Sequence, residues 1–200
     1  MKLLQSLILI VLLSSTLAAP ASWLTEPYIG YGQLSLKLGD EVIINGEATS
    51  YILGAKTGFQ IGQNIYIAAD YSRAGPYEIK FKQRYYGASI DSGYFNLYSG
   101  GIGVEYNFGT WMLWYGLYPY HVLAENKIDF QLKGQMKRLG LGFSLDAKTK
   151  LYFNYENSSL SMNNPSTTAQ SVLCYNTLID ACKTIGNTST LYFSISALFN

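Results

Sequence analysis

A chain of 200 residues with a net charge of +1 is long enough for one domain and lacks the basic excess that nucleic-acid binding requires. Only 14% of the residues are charged, below the roughly 25% of an ordinary soluble domain, whereas tyrosine occurs 18 times and glycine 19 times. This composition disfavours a helical fold and predicts strands that place amphipathic rings at an interface.

The first residues have the order of a secretory signal peptide. Met1 and Lys2 precede the apolar run LLQSLILIVLL, which is followed by the small residues SSTLAAPAS. Cleavage after Ala21 or after Ala18 fits this pattern. The apolar run is shorter than the roughly 20 residues of a membrane-spanning helix. We therefore predict a signal peptide over residues 1–21 and one domain over residues 22–200.

The most apolar later stretch, 110–124, is too short for a membrane-spanning helix and contains Gly116 and Pro119. The mature chain is therefore expected either to be soluble after export or to cross a membrane as strands.

Alternation with a period of two predicts strands at 33–38, 51–61, 65–72, 99–106, 110–124, 128–145, 151–156 and 191–199. In the first, we expect Leu34 and Leu36 to face outward and Lys37 to face inward. The fifth is apolar on both faces. The sixth changes phase along its length, which predicts a β-bulge near Lys137.

The connections between these strands alternate in length. Those after the second, fourth and sixth strands are tight (IGQN, NFGT and DAKT), whereas those after the first, third and seventh are long and polar. Short turns at one end and long loops at the other are typical of an outer-membrane barrel. The two longest predicted loops are 73–94 and 157–188.

The polar face of the predicted strands carries charges of both signs. We expect them to neutralise one another inside a narrow barrel, with Lys37, Lys56 and Arg138 against Asp70, Glu105 and Glu156. An eight-stranded barrel is just wide enough for side chains to fill, and buried charges are tolerated when paired. For Lys37 and Glu156, a position in water beyond the membrane is an alternative. Outward aromatic residues are expected to form girdles at headgroup depth: Tyr51, Phe59, Tyr71, Tyr106 and Phe199.

Three stretches, PYIGYG at 27–32, EYNFG at 105–109 and LYFSISALF at 191–199, resemble the eight-stranded outer-membrane barrels of the OmpA/OmpX/Ail type. The resemblance spans Tyr28 to Phe199 and implies an all-β chain, a closed eight-stranded antiparallel transmembrane β-barrel in the bacterial outer membrane. It also implies that the barrel-assembly machinery recognises the alternating C-terminal residues Leu191, Phe193, Ile195, Ala197 and Phe199. The family usually ends on the aromatic residue, whereas here Asn200 follows it.

Cys174 and Cys182 fall in the last long loop. Because an exported chain passes through an oxidising compartment, we predict a disulfide bond between them. Two cysteines without a nearby histidine are a poor metal site, and we predict no metal and no cofactor.

His121 is the one histidine of the chain. Some barrels of this size are lipid A-modifying enzymes that use a histidine, a serine and an acid on the barrel wall. A deacylase of that kind has a serine two positions after the histidine, where this chain has Leu123, and the nearest acid is Glu125. We therefore interpret His121 as a residue of the aromatic belt or of a loop, with lipid A deacylation as an alternative.

The segment PYEIKFKQRYYG carries a basic face next to aromatic residues: Lys80, Lys82, Arg84, Tyr85 and Tyr86. Four interpretations are open: an extension of a strand beyond the membrane, a ribbon on lipopolysaccharide phosphates, a surface for a partner, and a solvated hairpin.

Together these patterns predict a monomeric surface scaffold with a filled lumen and no catalytic residue. Its loops would contact an extracellular or host ligand, and outer-membrane lipid and lipopolysaccharide would surround it. The alternatives are the deacylase, a barrel that takes up small apolar molecules through a lateral opening near the fifth strand, and a soluble exported β-sandwich.

Overall fold

A computed structural model describes residues 22–38, 44–80, 92–125, 130–161 and 185–199. They form a closed antiparallel barrel in which each strand pairs with its sequence neighbours and the last pairs with the first. The strands are β1 (Ser22–Leu38), β2 (Ile44–Ile61), β3 (Ile65–Lys80), β4 (Ser92–Phe108), β5 (Trp111–Glu125), β6 (Phe130–Ser144), β7 (Thr149–Ser161) and β8 (Ile185–Ala197). The predicted fold class is confirmed. No helix of the described residues is long and apolar enough to cross a membrane.

The three tight connections lie at one end of the barrel, which we call the turn end. Gly62 and Gly109 adopt positive φ angles of 64° and 88° in two of them, a conformation that favours glycine. In the third, Asp146 Oδ1 accepts hydrogen bonds from the backbone N–H groups of Lys148 and Thr149 at 2.7 and 2.8 Å. These bonds hold the pKa of the exposed Asp146 carboxyl below its ordinary value.

At the opposite end, the loop end, the strands extend further than the alternation predicted. β3 continues to Lys80 and β4 begins at Ser92, so the predicted loop 73–94 is too long. β7 continues to Ser161 and β8 begins at Ile185, which shortens the predicted loop 157–188 in the same way. Sequence alternation missed these strand ends for two reasons. On β3 and β4 the apolar residues there face inward, the reverse of the rest of each strand, and on β7 and β8 the residues are polar on nearly all positions.

The outer wall carries an apolar belt of exposed leucine, isoleucine, valine and aromatic side chains. Toward the turn end it is bordered by exposed rings, including Trp23, Phe59, Tyr106, Phe108, Trp111, Phe143 and Phe199. Toward the loop end its border is a row of tyrosines, which we call the tyrosine girdle: Tyr31, Tyr51, Tyr71, Tyr120 and Tyr155. All five residues predicted for the aromatic girdles are exposed on this wall.

Beyond the tyrosine girdle the two faces of the wall exchange character. Leu34 and Leu36 are fully buried inside the barrel, and Lys37 is exposed on the outside. The prediction that these leucines face outward and Lys37 inward is therefore wrong. Alternation identified one dry face, but past the belt the dry face is the inside. The inward apolar residues of this region form the loop-end core: Leu34, Leu36, Ile52, Ala74, Tyr77, Phe95, Leu97, Leu123, Leu132 and Leu160.

The same exchange explains the phase change in β6. Met136 is buried, and Lys137 and Leu139 are both exposed, so the strand alternates without interruption. Its register with β7 is continuous from Lys133 to Ser144, so β6 itself carries no extra residue near Lys137, although its pairing with β5 shifts between Met136 and Gly134. The irregularity is instead in β5, whose pairing with both neighbours shifts in the segment 117–121.

Candidate functional site

The lumen near the turn end holds four alternating charges, which we call the lower charge cluster: Glu26, Lys56, Glu105 and Lys150. Lys150 Nζ lies 2.8 Å from a carboxylate oxygen of Glu26 and 2.8 Å from one of Glu105. Lys56 Nζ lies 3.3 and 3.9 Å from the same two carboxylates. The two lysines balance the charge of the two glutamates, and each lysine bridges both acids. The cluster is therefore neutral and paired, as burial in the barrel interior requires.

Aromatic side chains surround the lower charge cluster. Lys56 Nζ lies 4.0 Å from the ring centroid of Tyr152 and 4.4 Å from that of Trp114, within the range of cation–π attraction. The hydroxyl of Tyr152 donates a hydrogen bond to Glu105. These rings fill the space between the charges and the wall.

Above it lies the upper charge cluster, formed by Asp70, Arg138 and Glu156. Arg138 Nε donates to Glu156 at 2.7 Å, and its Nη1 lies 2.5 Å from Asp70. Arg138 Nη2 donates to Ser72 Oγ at 2.9 Å. The guanidinium group thus joins strands β3, β6 and β7 across the lumen, in the forked geometry that arginine provides.

Tyrosine hydroxyls complete the upper charge cluster. Tyr28 accepts a hydrogen bond from Arg138 at 2.7 Å and donates one to Asp70 at 2.9 Å. Tyr118 also donates to Asp70, and its hydroxyl accepts a bond from Trp114 Nε1 at 3.3 Å. The two clusters are therefore connected through Trp114 and Tyr118.

The lumen is closed by packed side chains at several levels. The loop-end core lies above the upper charge cluster, and Leu24, Tyr66 and the partly buried Leu198 pack below the lower one. Leu198 is apolar although it lies on the otherwise polar face of the C-terminal stretch, and it packs against this cluster at the turn end. The gap between the clusters is too small to hold a water molecule.

The structure brings together five of the six charges assigned to the interior network and leaves out Lys37. Sequence analysis missed Glu26 and Lys150, which complete the lower charge cluster. Both were detectable by extending alternation past the predicted strand starts, since Glu26 is in phase with Tyr28 and Lys150 with Tyr152.

His121 lies inside the barrel, and its Nδ1 is 2.8 Å from Ser99 Oγ. The two residues face each other across the β4–β5 pairing, so the serine that sequence proximity did not provide comes from the neighbouring strand. Both side chains are at most 2% exposed. Within the part of the chain that the structure describes, His121 Nε2 has no hydrogen-bond partner. The interpretation of His121 as a belt or loop residue is wrong.

Several predicted site residues lie outside the described residues: Cys174, Cys182, Lys82, Arg84, Tyr85 and Tyr86. Lys80 ends β3, where only its backbone is described. The proposed assembly residues Leu191, Phe193, Ile195 and Phe199 are exposed on the apolar belt. Among described residues, no group of three or more metal-ligating side chains could hold a metal ion.

The barrel is similar to solved outer-membrane proteins. Ail, the attachment invasion locus protein of Yersinia pestis, was solved with the heparin analogue sucrose octasulfate; it has 14% sequence identity, and the match covers 89% of this chain and 99% of that one with a TM-score of 0.52. Neisserial surface protein A has 15% identity over 90% and 99%, with a TM-score of 0.48. OprG of Pseudomonas aeruginosa has 9% identity over 91% and 97%, with a TM-score of 0.43. No family model and no curated protein sequence matches the chain.

At these identities the likeness concerns the fold. It supports the resemblance to eight-stranded outer-membrane barrels of the OmpA/OmpX/Ail type that the sequence motifs suggested.

Proposed function

We propose that this chain is a bacterial outer-membrane barrel that serves as a closed, non-conducting scaffold for surface contacts. The observation that carries the proposal is the filled lumen, in which two charge clusters and the loop-end core follow one another along the axis. A wide channel needs a continuous water path, and among the described residues packed side chains occupy the axis at these levels.

The apolar belt supports residence in a membrane. Its leucine, isoleucine and phenylalanine side chains are exposed all around the wall, which would promote aggregation in water but suits acyl chains. The predicted signal peptide would deliver the chain to the periplasm for assembly. The proposal therefore places a monomeric barrel in the outer membrane, with its turn end in the periplasm.

The part of the barrel beyond the tyrosine girdle is suited to present the loops. Its outside is polar, as in a water-soluble barrel, and its inside is the apolar loop-end core. Strands β3, β4, β7 and β8 of this part lead into the segments 81–91 and 162–184, to which we assign the surface contacts.

Planar-bilayer recording tests the closed scaffold. The refolded protein should show no steady conductance, and a shift in gel mobility between boiled and unboiled samples should show that the same preparation has folded. Large, steady conductance from the folded sample would contradict the proposal.

For the ligand, we propose a sulfated polysaccharide bound by the basic segment with Lys80, Lys82 and Arg84. The support is the basic sequence and the similar barrel Ail, which was solved with a heparin analogue. Cells that display the protein should bind immobilised heparin, and the triple change to glutamine should reduce this binding. The control is Lys148→Gln in a tight turn at the other end. Equal heparin binding by the unmodified protein, the triple variant and Lys148→Gln would refute this ligand.

The hydrogen bond between Ser99 and His121 favours a hydrolase as a second candidate. Both side chains are buried under the loop-end core, however, where an acyl chain of lipid A has no access. We therefore expect the lipid A of overexpressing cells to have an unchanged mass spectrum. Loss of one acyl chain, abolished by His121→Ala, would establish the enzyme instead.

A barrel that takes up small apolar molecules is also disfavoured. The apolar part of the lumen, where such a molecule would pass, is already packed with side chains. A crystal structure with lipid or detergent inside the barrel would reverse this view.

A further inference from the structure

A groove with a volume of about 660 Å³ runs across the outer wall from β4 to β8. Ile102, Leu117 and Pro119 line its lower part, on β4 and β5. Polar side chains line its upper part on β6, β7 and β8: Gln135, Lys137, Asn157, Ser159 and Asn187. Its volume lies within the range of ligand-binding pockets, and its two ends differ in polarity.

Local features of the wall form this groove. The irregular segment of β5 places Pro119 and Tyr120 side by side on the outside, which interrupts the regular alternation. On β7 and β8 the outward residues beyond the belt are small, namely Asn157, Ser159 and Asn187. The wall is therefore recessed between the bulky belt below and the larger side chains of β5.

The groove coincides with a break in the tyrosine girdle. On β1, β2, β3 and β7 a tyrosine is the last apolar outward residue before the polar region, but on β6 that residue is Leu139 and Lys137 follows it. Leu191 takes this place on β8. On β6 and β8 a leucine therefore stands where β1, β2, β3 and β7 have a ring, and on β6 the exposed ammonium group of Lys137 follows that leucine.

The charge around the groove has one sign. Among the described side chains of β5 to β8, the outward charges beyond the belt are Lys133 and Lys137, and no acid accompanies them. On the other half of the barrel the outward charges are mixed, with Lys37 and Arg73 beside Glu47 and Glu78. The groove is therefore suited to a negatively charged ligand at headgroup depth.

We propose that the groove is a binding site for a phosphate-bearing glycolipid of the surrounding outer leaflet. An acyl chain lies against Ile102 and Leu117, Lys137 binds the phosphate, and the amide and hydroxyl groups of Asn157, Ser159 and Asn187 contact the sugar. A free anion would leave the apolar end of the groove unused. The inference rests on the proposed membrane residence of the barrel.

Native mass spectrometry of the detergent-solubilised full mature chain tests this site. The probes are lipid A with two phosphates and the same lipid without phosphate. We expect the phosphorylated lipid to be retained and Lys137→Gln to weaken its binding about tenfold, as for the loss of one charge-assisted hydrogen bond. Lys148→Gln, an exposed lysine at the turn end, is the matched control and should bind as the unmodified protein does.

A second variant, Ser159→Trp, fills the groove without changing the charge. It should also reduce retention of the phosphorylated lipid. Equal retention by the unmodified protein and both groove variants, or of both lipid forms, would overturn the proposal. Displacement of the lipid by millimolar inorganic phosphate would also overturn it, because the site would then recognise an anion alone.

The same samples separate this site from the proposed function. If boiled and unboiled samples differ in mobility and detergent is required, the membrane barrel stands even when lipid binding fails. If the mature chain is soluble without detergent, the proposed function fails first.

Discussion

At the scale of single residues, Arg138 holds the upper charge cluster together. It is 1% exposed and contacts Asp70, Glu156, Tyr28 and Ser72. Removing one member of a buried ion pair leaves the partner charge uncompensated, which costs more than the pair itself contributes. Here two carboxylates would lose their cation.

We therefore expect Arg138→Gln to lower the free energy of unfolding by about 3–5 kcal/mol. The measurement is urea unfolding of the protein in lipid vesicles. Lys133→Gln is the matched control, since Lys133 lies on the same strand β6 but faces outward, and its change should stay within about 0.5 kcal/mol. Similar losses for both variants would contradict the inward assignment of Arg138.

Gly103 shows why glycine is needed on the inner wall. A Cβ atom at this position would lie 2.3 Å from the indole ring of Trp114, so the ring could not lie across the strand. A Cβ atom at Gly100, on the same strand, would meet its nearest neighbour at 3.6 Å, an ordinary contact.

We expect Gly103→Ala to impair refolding into vesicles, because Trp114 is fully buried and packed against Lys56. Gly100→Ala should refold with a yield close to that of the unmodified protein. Refolding yields can be compared from the fraction of protein with altered mobility before boiling. Equal yields for the two variants would show that the interior repacks freely around Trp114.

At the scale of elements, the turn between β6 and β7 depends on the ionised carboxylate of Asp146. Because its backbone hydrogen bonds favour the charged form, the pKa of Asp146 is lower in the folded protein than its ordinary value of 3.8. The resulting stabilisation is fully present above 3.8 and is lost as the pH falls through the lower folded-state value.

Asp146→Asn should therefore unfold more readily than the unmodified protein at pH 7. The difference should disappear in acid below the folded-state pKa of Asp146. Urea midpoints of both proteins across this pH range provide the measurement. A difference that stays constant down to the lowest pH would show that charge has no role in this turn.

Sequence alternation located part of every strand and all three tight turns. It could not tell which face was inside at the loop end. Leu34 and Lys37 follow the same alternation as Leu191 and Ser194, yet the leucine of one pair faces inward and that of the other outward. The pattern reports a dry and a wet face, whereas the side on which each lies depends on whether lipid or water surrounds that height of the wall.

The candidate site, too, was predicted from the sequence only in part. The charges Lys56, Asp70, Glu105 and Arg138 were found from the strands that carry them. Their pairing was not, because it depends on the register between strands distant in sequence, as does the contact of Ser99 with His121. Glu26 was missed because β1 was predicted to start too late.

At the scale of the whole molecule, the central claim is that lipid surrounds the belt and the charged lumen stays dry. Trp111 and Trp114 lie on the same strand, and their side chains are 47% and 0% exposed. Variants with a single tryptophan, made by changing the others to phenylalanine, place one fluorophore on each side of the wall.

Fluorescence quenching by vesicle lipids with brominated acyl chains is the most direct test. If lipid surrounds the belt and the lumen stays dry, Trp111 should be strongly quenched and Trp114 weakly. Absence of quenching for both, or equal quenching of the two, would contradict this claim.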